Sequence, residues 1–153
     1  MIKDGLKLRG DVEIVLKDEN GYTVDTRSIN NLVVNTGLDY IGSRILDNST
    51  SVMSFMGLGS DNTAATATDT DLGSLVGARE ELTTSVYSFT QNEAKITYRA
   101  TFEAGDATGD LSEAGIFNSS TGGEMLCRTT FDMLTKPANS VLSVTWVISL
   151  TVS

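Results

Sequence analysis

The sequence predicts an all-β chain, a single-domain β-sandwich or jelly-roll-like fold of about eight strands with one short helix near residues 38–46. Three observations carry this expectation. First, Val141–Ser153 reads VLSVTWVISLTVS, with Leu142, Val144, Trp146, Ile148, Leu150 and Val152 at every second position. Successive strand side chains point to opposite faces, so this is a strand with one dry face and one hydroxyl-rich face. It is β-branched, lacks Gly and Pro, and carries the sole tryptophan, so it reads as a central strand. Second, Val12, Ile14 and Leu16 alternate with Glu13 and Lys17, and Asn20-Gly21 supplies the positive φ of a tight reversal. Third, Thr83–Gln91 and Ala94–Phe102 form a second hairpin, with Ile96, Tyr98, Ala100 and Phe102 on one face.

The remaining elements follow in order. Tyr22–Asn35 returns from the first turn and ends in Leu32-Val33-Val34. Thr36 and Asp39 match a capping-box-like pattern, and Leu38, Ile41, Ile45 and Leu46 follow at helical spacing. A helix is expected at Leu38–Leu46, stopped by Asp47-Asn48 and plugging one end of the β core. Val52–Leu58 reads as a short buried strand. Residues 59–70 lack a useful period, and a loop this long in a small domain is usually functional or disordered. Leu72, Leu75 and Val76 are candidates to re-enter the core, and Ala78–Leu82 for a helical turn. Glu103–Asp110 is a loop by composition. Ala114–Asn118 and Glu124–Phe131 are strands around a turn at Ser119–Gly123, and Lys136–Asn139 is the last loop.

Composition narrows the chemistry. The chain has 153 residues, enough to bury a core without disulfides. No apolar run reaches the roughly eighteen residues of a membrane helix, and MIKDGLKLRG lacks a secretory apolar stretch. Cys127 is the sole cysteine and there is no histidine, which argues against most zinc sites and against Ser-His and Cys-His nucleophiles. A net charge of −9 disfavours binding to nucleic-acid phosphates. No cofactor, metal or membrane association is expected. Asp69-x-Asp71 near Asp61-Asn62 has calcium-loop spacing without the rest of that motif, so a solvated acidic loop is favoured over a weak surface site. Cys127 and Trp146 read as core residues, and Tyr87 and Phe89 as the better candidates for an exposed contact. No residue pattern points to catalysis.

The charge is uneven. Lys3, Lys7 and Arg9 against Asp4 give the first nine residues +2, which leaves −11 for the rest of a −9 chain. Residues 1–10 therefore read as an N-terminal arm, ahead of one β domain at 11–153. Lys3, Lys7 and Arg9 are the candidate partner contacts, docking on an acidic neighbour.

Several segments resemble those of small virion structural proteins of tailed bacteriophages. They are Asn31–Gly37 (NLVVNTG), Met53–Ser60 (MSFMGLGS), Ile96–Phe102 (ITYRATF), Leu111–Asn118 (LSEAGIFN), Gly123–Phe131 (GEMLCRTTF) and Val144-Thr145-Trp146. The resemblance runs over roughly residues 12–153 and rests on structural residues, so it implies virion membership rather than an activity. With no coiled-coil stem or collagen-like repeat, a free-standing module is expected. That suits a non-enzymatic capsid decoration protein bridging capsomers; the alternative is a tail-fibre or baseplate accessory module contacting the host surface. The implied partners are the major capsid protein or neighbouring virion subunits. By analogy the assembly is a homotrimer, in a virion assembled in the host cytoplasm.

Overall fold

The alternating C-terminal stretch does form the middle of a sheet. The computed structural model describes residues 4–46 and 49–152. In chain order its elements are β1 (Leu6–Lys17), β2 (Thr23–Asn30), β3 (Leu32–Val33), α1 (Asn35–Arg44), β4 (Phe55–Gly59), β5 (Glu80–Glu81), β6 (Thr84–Thr90), β7 (Glu93–Phe102), β8 (Gly109–Phe117), β9 (Met125–Lys136) and β10 (Val141–Val152). Two five-stranded sheets result, ordered β2-β1-β10-β7-β6 and β3-β9-β8-β4-β5, and every pairing is antiparallel. Strand makes up 54% and helix 7%, which places the chain in the all-β class as a sandwich.

The core lies between the sheets and follows the alternation. Val12, Ile14 and Leu16 of β1 and Leu142, Val144, Trp146 and Ile148 of β10 are buried. They meet Ala100 and Phe102 of β7, and Met56, Leu58, Leu111, Ala114, Ile116 and Cys127 of the opposite sheet. Trp146 is fully enclosed, its register partners being Val12 on one side and Tyr98 on the other. Gly21 takes φ +82° in the first hairpin turn, a conformation that favours glycine.

Ten strands stand where about eight were expected, and the two extra ones, β3 and β5, are two residues long. The expected Tyr22–Asn35 arm divides at Asn31, where the chain leaves one sheet for the other. The helical turn expected at Ala78–Leu82 is not formed; Glu80 and Glu81 pair with Met56 and Phe55 on the sheet edge instead. β4 begins at Phe55, three residues after the expected strand start. β8 and β9 are longer than expected, because Gly109 to Leu111 pair with Leu134 to Lys136. The composition of that stretch is loop-like, yet fully buried Leu111 anchors it, and the Thr135 hydroxyl donates to Asp110 at 2.6 Å.

The helix spans Asn35–Arg44 rather than Leu38–Leu46. Thr36 does not cap it, since Val34 occupies the cap position without a side-chain bond and the Thr36 hydroxyl donates to the Met125 carbonyl at 2.7 Å. Asp47 and Asn48, expected to stop the helix, lie outside the described residues.

The expectation of a separate arm at residues 1–10 is corrected for its second half. Leu6 to Gly10 pair with Val152 to Ile148 as the first part of β1, and Leu8 packs against the core. Gly10 is part of this fit. A Cβ there would lie 1.2 Å from Asn31 Oδ1, because the Asn31 amide fills that space at the corner between sheets. A leucine at every second position of Leu6–Leu8 is a strand period too short to recognise without its partner strand. Met1, Ile2 and Lys3 lie outside the described residues.

Candidate functional site

The long segment between β4 and β5 is not a free loop. It lies over the outer face of the β3-β9-β8-β4-β5 sheet. Leu72 is buried there with Val34, Phe117 and Met125, and Phe55 packs at its margin, forming a second, smaller core. The Arg79 guanidinium sits 3.4 Å from the centroid of the Phe117 ring and donates to the Ser119 and Gly122 carbonyls, both at 2.8 Å. It also reaches Asp71 at 3.1 Å. Of the residues expected to re-enter the core here, Leu72 does so fully, Val76 partly, and Leu75 stays exposed.

Beneath this cover lies an ionic cluster. Glu113 of β8 is fully buried and Arg128 of β9 nearly so. Arg128 Nε donates to Glu113 Oε2 at 2.9 Å, and its Nη1 donates to Asp69 at 2.9 Å and to the Thr63 carbonyl at 3.1 Å. Glu113 in turn accepts from the backbone N–H groups of Asp61, Gly73 and Ser74, at 3.2, 2.9 and 2.7 Å. Two side chains from the sheet thus hold five points of the loop.

The electrostatics follow. Burial works against the Arg128 charge, but the hydrogen bonds it donates to Glu113 and Asp69 outweigh it and hold its pKa above the usual value. Burial also works against the Asp69 carboxylate, and bonds from Thr66 and Arg128 outweigh it, so its pKa is lowered. Hydrogen bonds from Thr63 lower that of Asp61. The acidic residues with calcium-loop spacing are thereby divided: Asp61 and Asp69 face Arg128, while Asp71 pairs with Arg79. Among the described residues no group of three or more acidic or cysteine side chains is placed to hold a metal ion.

Sequence reading missed Glu113 and Arg128. A signal existed. Each is the one charged residue in a strand stretch of apolar and small hydroxyl residues, SEAGIF and LCRTTF, and a buried charge needs a partner. Cys127, read as core, is fully buried, and burial pushes its thiol pKa well up.

Of the predicted basic contact residues, Lys7 and Arg9 lie two positions apart on one face of β1. Lys7 and Arg9 are exposed on β1, opposite Thr151 and Ser149 of β10. Arg9 is held by Asp11 at 2.9 Å, both side chains well exposed. Arg9 lines a shallow groove together with Asp11, Glu13, Ser28, Arg99 and Thr145. Lys3 lies outside the described residues.

Tyr87 and Phe89 are placed differently. Both are 66% exposed on β6, the sheet's edge, and Val86 beside them is 55% exposed. An apolar cleft of about 170 Å³, lined by Tyr40, Ile41, Ile96, Tyr98, Leu126 and Leu150 among others, opens nearby between α1 and the sheet. Burial there pushes the Tyr98 hydroxyl pKa up to about 12.

No family model matches the chain, and no curated protein matches it.

Proposed function

We propose that this chain is a non-enzymatic structural subunit of a tailed-phage virion, decorating the capsid exterior and bridging neighbouring capsomers. The observation that carries this reading is where the phage-like segments lie. Met53–Ser60 contains β4, Leu111–Asn118 supplies Glu113, and Gly123–Phe131 supplies Arg128. Four of the six segments that carry the resemblance, Asn31–Gly37, Met53–Ser60, Leu111–Asn118 and Gly123–Phe131, therefore meet in the sheet that holds one buried ion pair, which ties a long loop onto the sandwich. Such a brace suits a protein whose task is to hold shape under load. On the shell, added buried surface between capsomers resists outward pressure. Three copies around a threefold position of the shell make up the bound form, with the shell setting the number.

The test is location. Purified protein is added to capsids that lack it, and the particles are imaged by cryo-EM. Density on the capsid exterior at regular positions is expected. Density restricted to the tail or baseplate rejects decoration in favour of the tail-module reading.

A further inference from the structure

We propose that β6 is a pairing edge for a second copy of this chain. Two β6 strands run antiparallel about a twofold axis at Tyr87 and join the two β2-β1-β10-β7-β6 sheets into one continuous sheet. This contact goes beyond the virion reading and does not depend on it. On a shell it would join copies from neighbouring threefold clusters.

Among the described residues the two sheets have four edges, β2, β6, β3 and β5. An exposed strand edge offers unpaired N–H and C=O groups, and proteins usually blunt it. Three edges here are blunted. β3 and β5 are two residues long. β2 carries Asp25 and Arg27, paired at 3.0 Å, and Arg27 also donates to the Asp132 carbonyl of β9. β6 has no such device. Its seven residues, TSVYSFT, include no charge, no Pro and no Gly, and all seven are exposed.

The register selects the occupant. β6 and β7 are joined through Gln91-Asn92, with Thr90 opposite Glu93. In an antiparallel ladder, hydrogen-bonded pairs alternate, and a two-residue turn is closed by one. Thr90, Ser88, Val86 and Thr84 therefore bond to β7, while Ser85, Tyr87 and Phe89 direct their main-chain groups outward. A twofold axis at Tyr87 sets Tyr87 against its own copy and Ser85 against Phe89. All outward groups of the three residues are then satisfied, as about six hydrogen bonds. The axis also sets Val86 against Ser88 and Thr84 against Thr90, so no side chain meets a like charge. Elsewhere two copies of a −9 chain repel, whereas β6 carries no carboxylate.

Area sets the strength. The four two-thirds-exposed rings of Tyr87 and Phe89 offer roughly 400–650 Å². With Val86 and the main chain this stays at the lower end of specific interfaces, about 1,200 Å². The contact is therefore weak in dilute solution and populated at high local concentration.

Disulfide trapping in the full-length protein tests the register, and the buried Cys127 gives little background. Hydrogen-bonded antiparallel partners lie about 5.5 Å apart at Cα, within disulfide reach. Tyr87→Cys should form a covalent dimer on mild oxidation. Ser85→Cys alone should not, but mixed with Phe89→Cys it should. Sedimentation of the unmodified protein should show mass rising towards two chains with concentration. Tyr87→Pro removes an outward N–H and should hold the mass at one chain with an unchanged circular dichroism spectrum. Trapping that is absent, or equal at all three positions, overturns the proposal, as does self-association that survives Tyr87→Pro. If the free protein stays monomeric yet Tyr87→Pro abolishes capsid binding, the edge takes a strand of another protein and the second-copy pairing is wrong. Because trapping needs no capsid, its failure leaves the virion reading standing.

Discussion

Arg128 and Glu113 lie on neighbouring strands, Nε to Oε2 at 2.9 Å, with 3% and 0% of their surfaces exposed. The pair is not only internal to the sheet. Each partner also holds the segment between β4 and β5, Arg128 through Asp69 and the Thr63 carbonyl, Glu113 through three backbone N–H groups. Sheet stability and loop order are thereby one property.

Removing one partner of a buried pair leaves the other charged and uncompensated, at a cost of about 3–5 kcal/mol. Arg128→Met should lower the unfolding free energy by that amount in urea titration. Proteolysis within residues 60–79 should also speed up at denaturant levels where the sandwich is still folded. Arg128→Lys should recover only part of the loss, because one ammonium cannot serve Glu113, Asp69 and the Thr63 carbonyl together. A stability for Arg128→Met within about 1 kcal/mol of the parent rejects the brace.

The depressed Asp69 pKa makes the brace acid-sensitive. A carboxylate with a folded-state pKa below its unfolded value contributes stability that is complete above the ordinary aspartate range, near 3.9. The contribution is lost as pH falls from there through the folded value. Urea midpoints of the parent should therefore drop below about pH 4, and those of Asp69→Asn should start lower and drop less. Parallel curves for the two proteins count against this account.

These two features also mark where sequence reading stops. β10, the β1–β2 turn and the β6–β7 hairpin were legible because period-two alternation and Asn20-Gly21 are local signals. Tyr87 and Phe89 were legible as contact candidates because Val86, just before them, prefers the opposite face of the strand, so one apolar face had to stay exposed. The Arg128–Glu113 pair was not, since its partners are 15 residues apart and meet only through the β8–β9 register. The cover over the outer sheet face was legible only as Leu72, Leu75 and Val76 returning to the core; its ties through Glu113, Arg128 and Arg79 were not, because they join residues far apart in the chain. The helix start was misplaced because the Thr36 hydroxyl serves β9 rather than the helix.

Gly10 and Asn31 give a coupled pair. The Asn31 amide occupies the space a Cβ at residue 10 would need, and neither of its polar atoms has a hydrogen-bond partner. Gly10→Ala should destabilise by about 1–3 kcal/mol through overpacking. Asn31→Ala in the same chain should recover most of it, since it vacates the space and removes two unsatisfied buried atoms. Thermal melts of the two single variants and the double variant measure the coupling. Additive losses would mean that the two residues do not compete for one space.

Charge reversal at Lys7 and Arg9 separates their role in partner contact from their place in the fold. Deleting residues 1–10 cannot do so, because it removes Leu6–Gly10 from the ladder with β10 and Leu8 from the core margin. Both basic side chains are exposed, and an exposed ion pair such as Arg9–Asp11 contributes only about 0–1 kcal/mol. The double variant Lys7→Glu, Arg9→Glu should therefore melt within a few degrees of the parent. If this face meets acidic groups on the shell, its capsid affinity should fall roughly tenfold, and parent binding should weaken as salt is raised. Lys7→Glu alone should have the larger share, since Arg9 is already engaged by Asp11. Binding that is unchanged in the double variant and indifferent to salt would remove Lys7 and Arg9 from the contact.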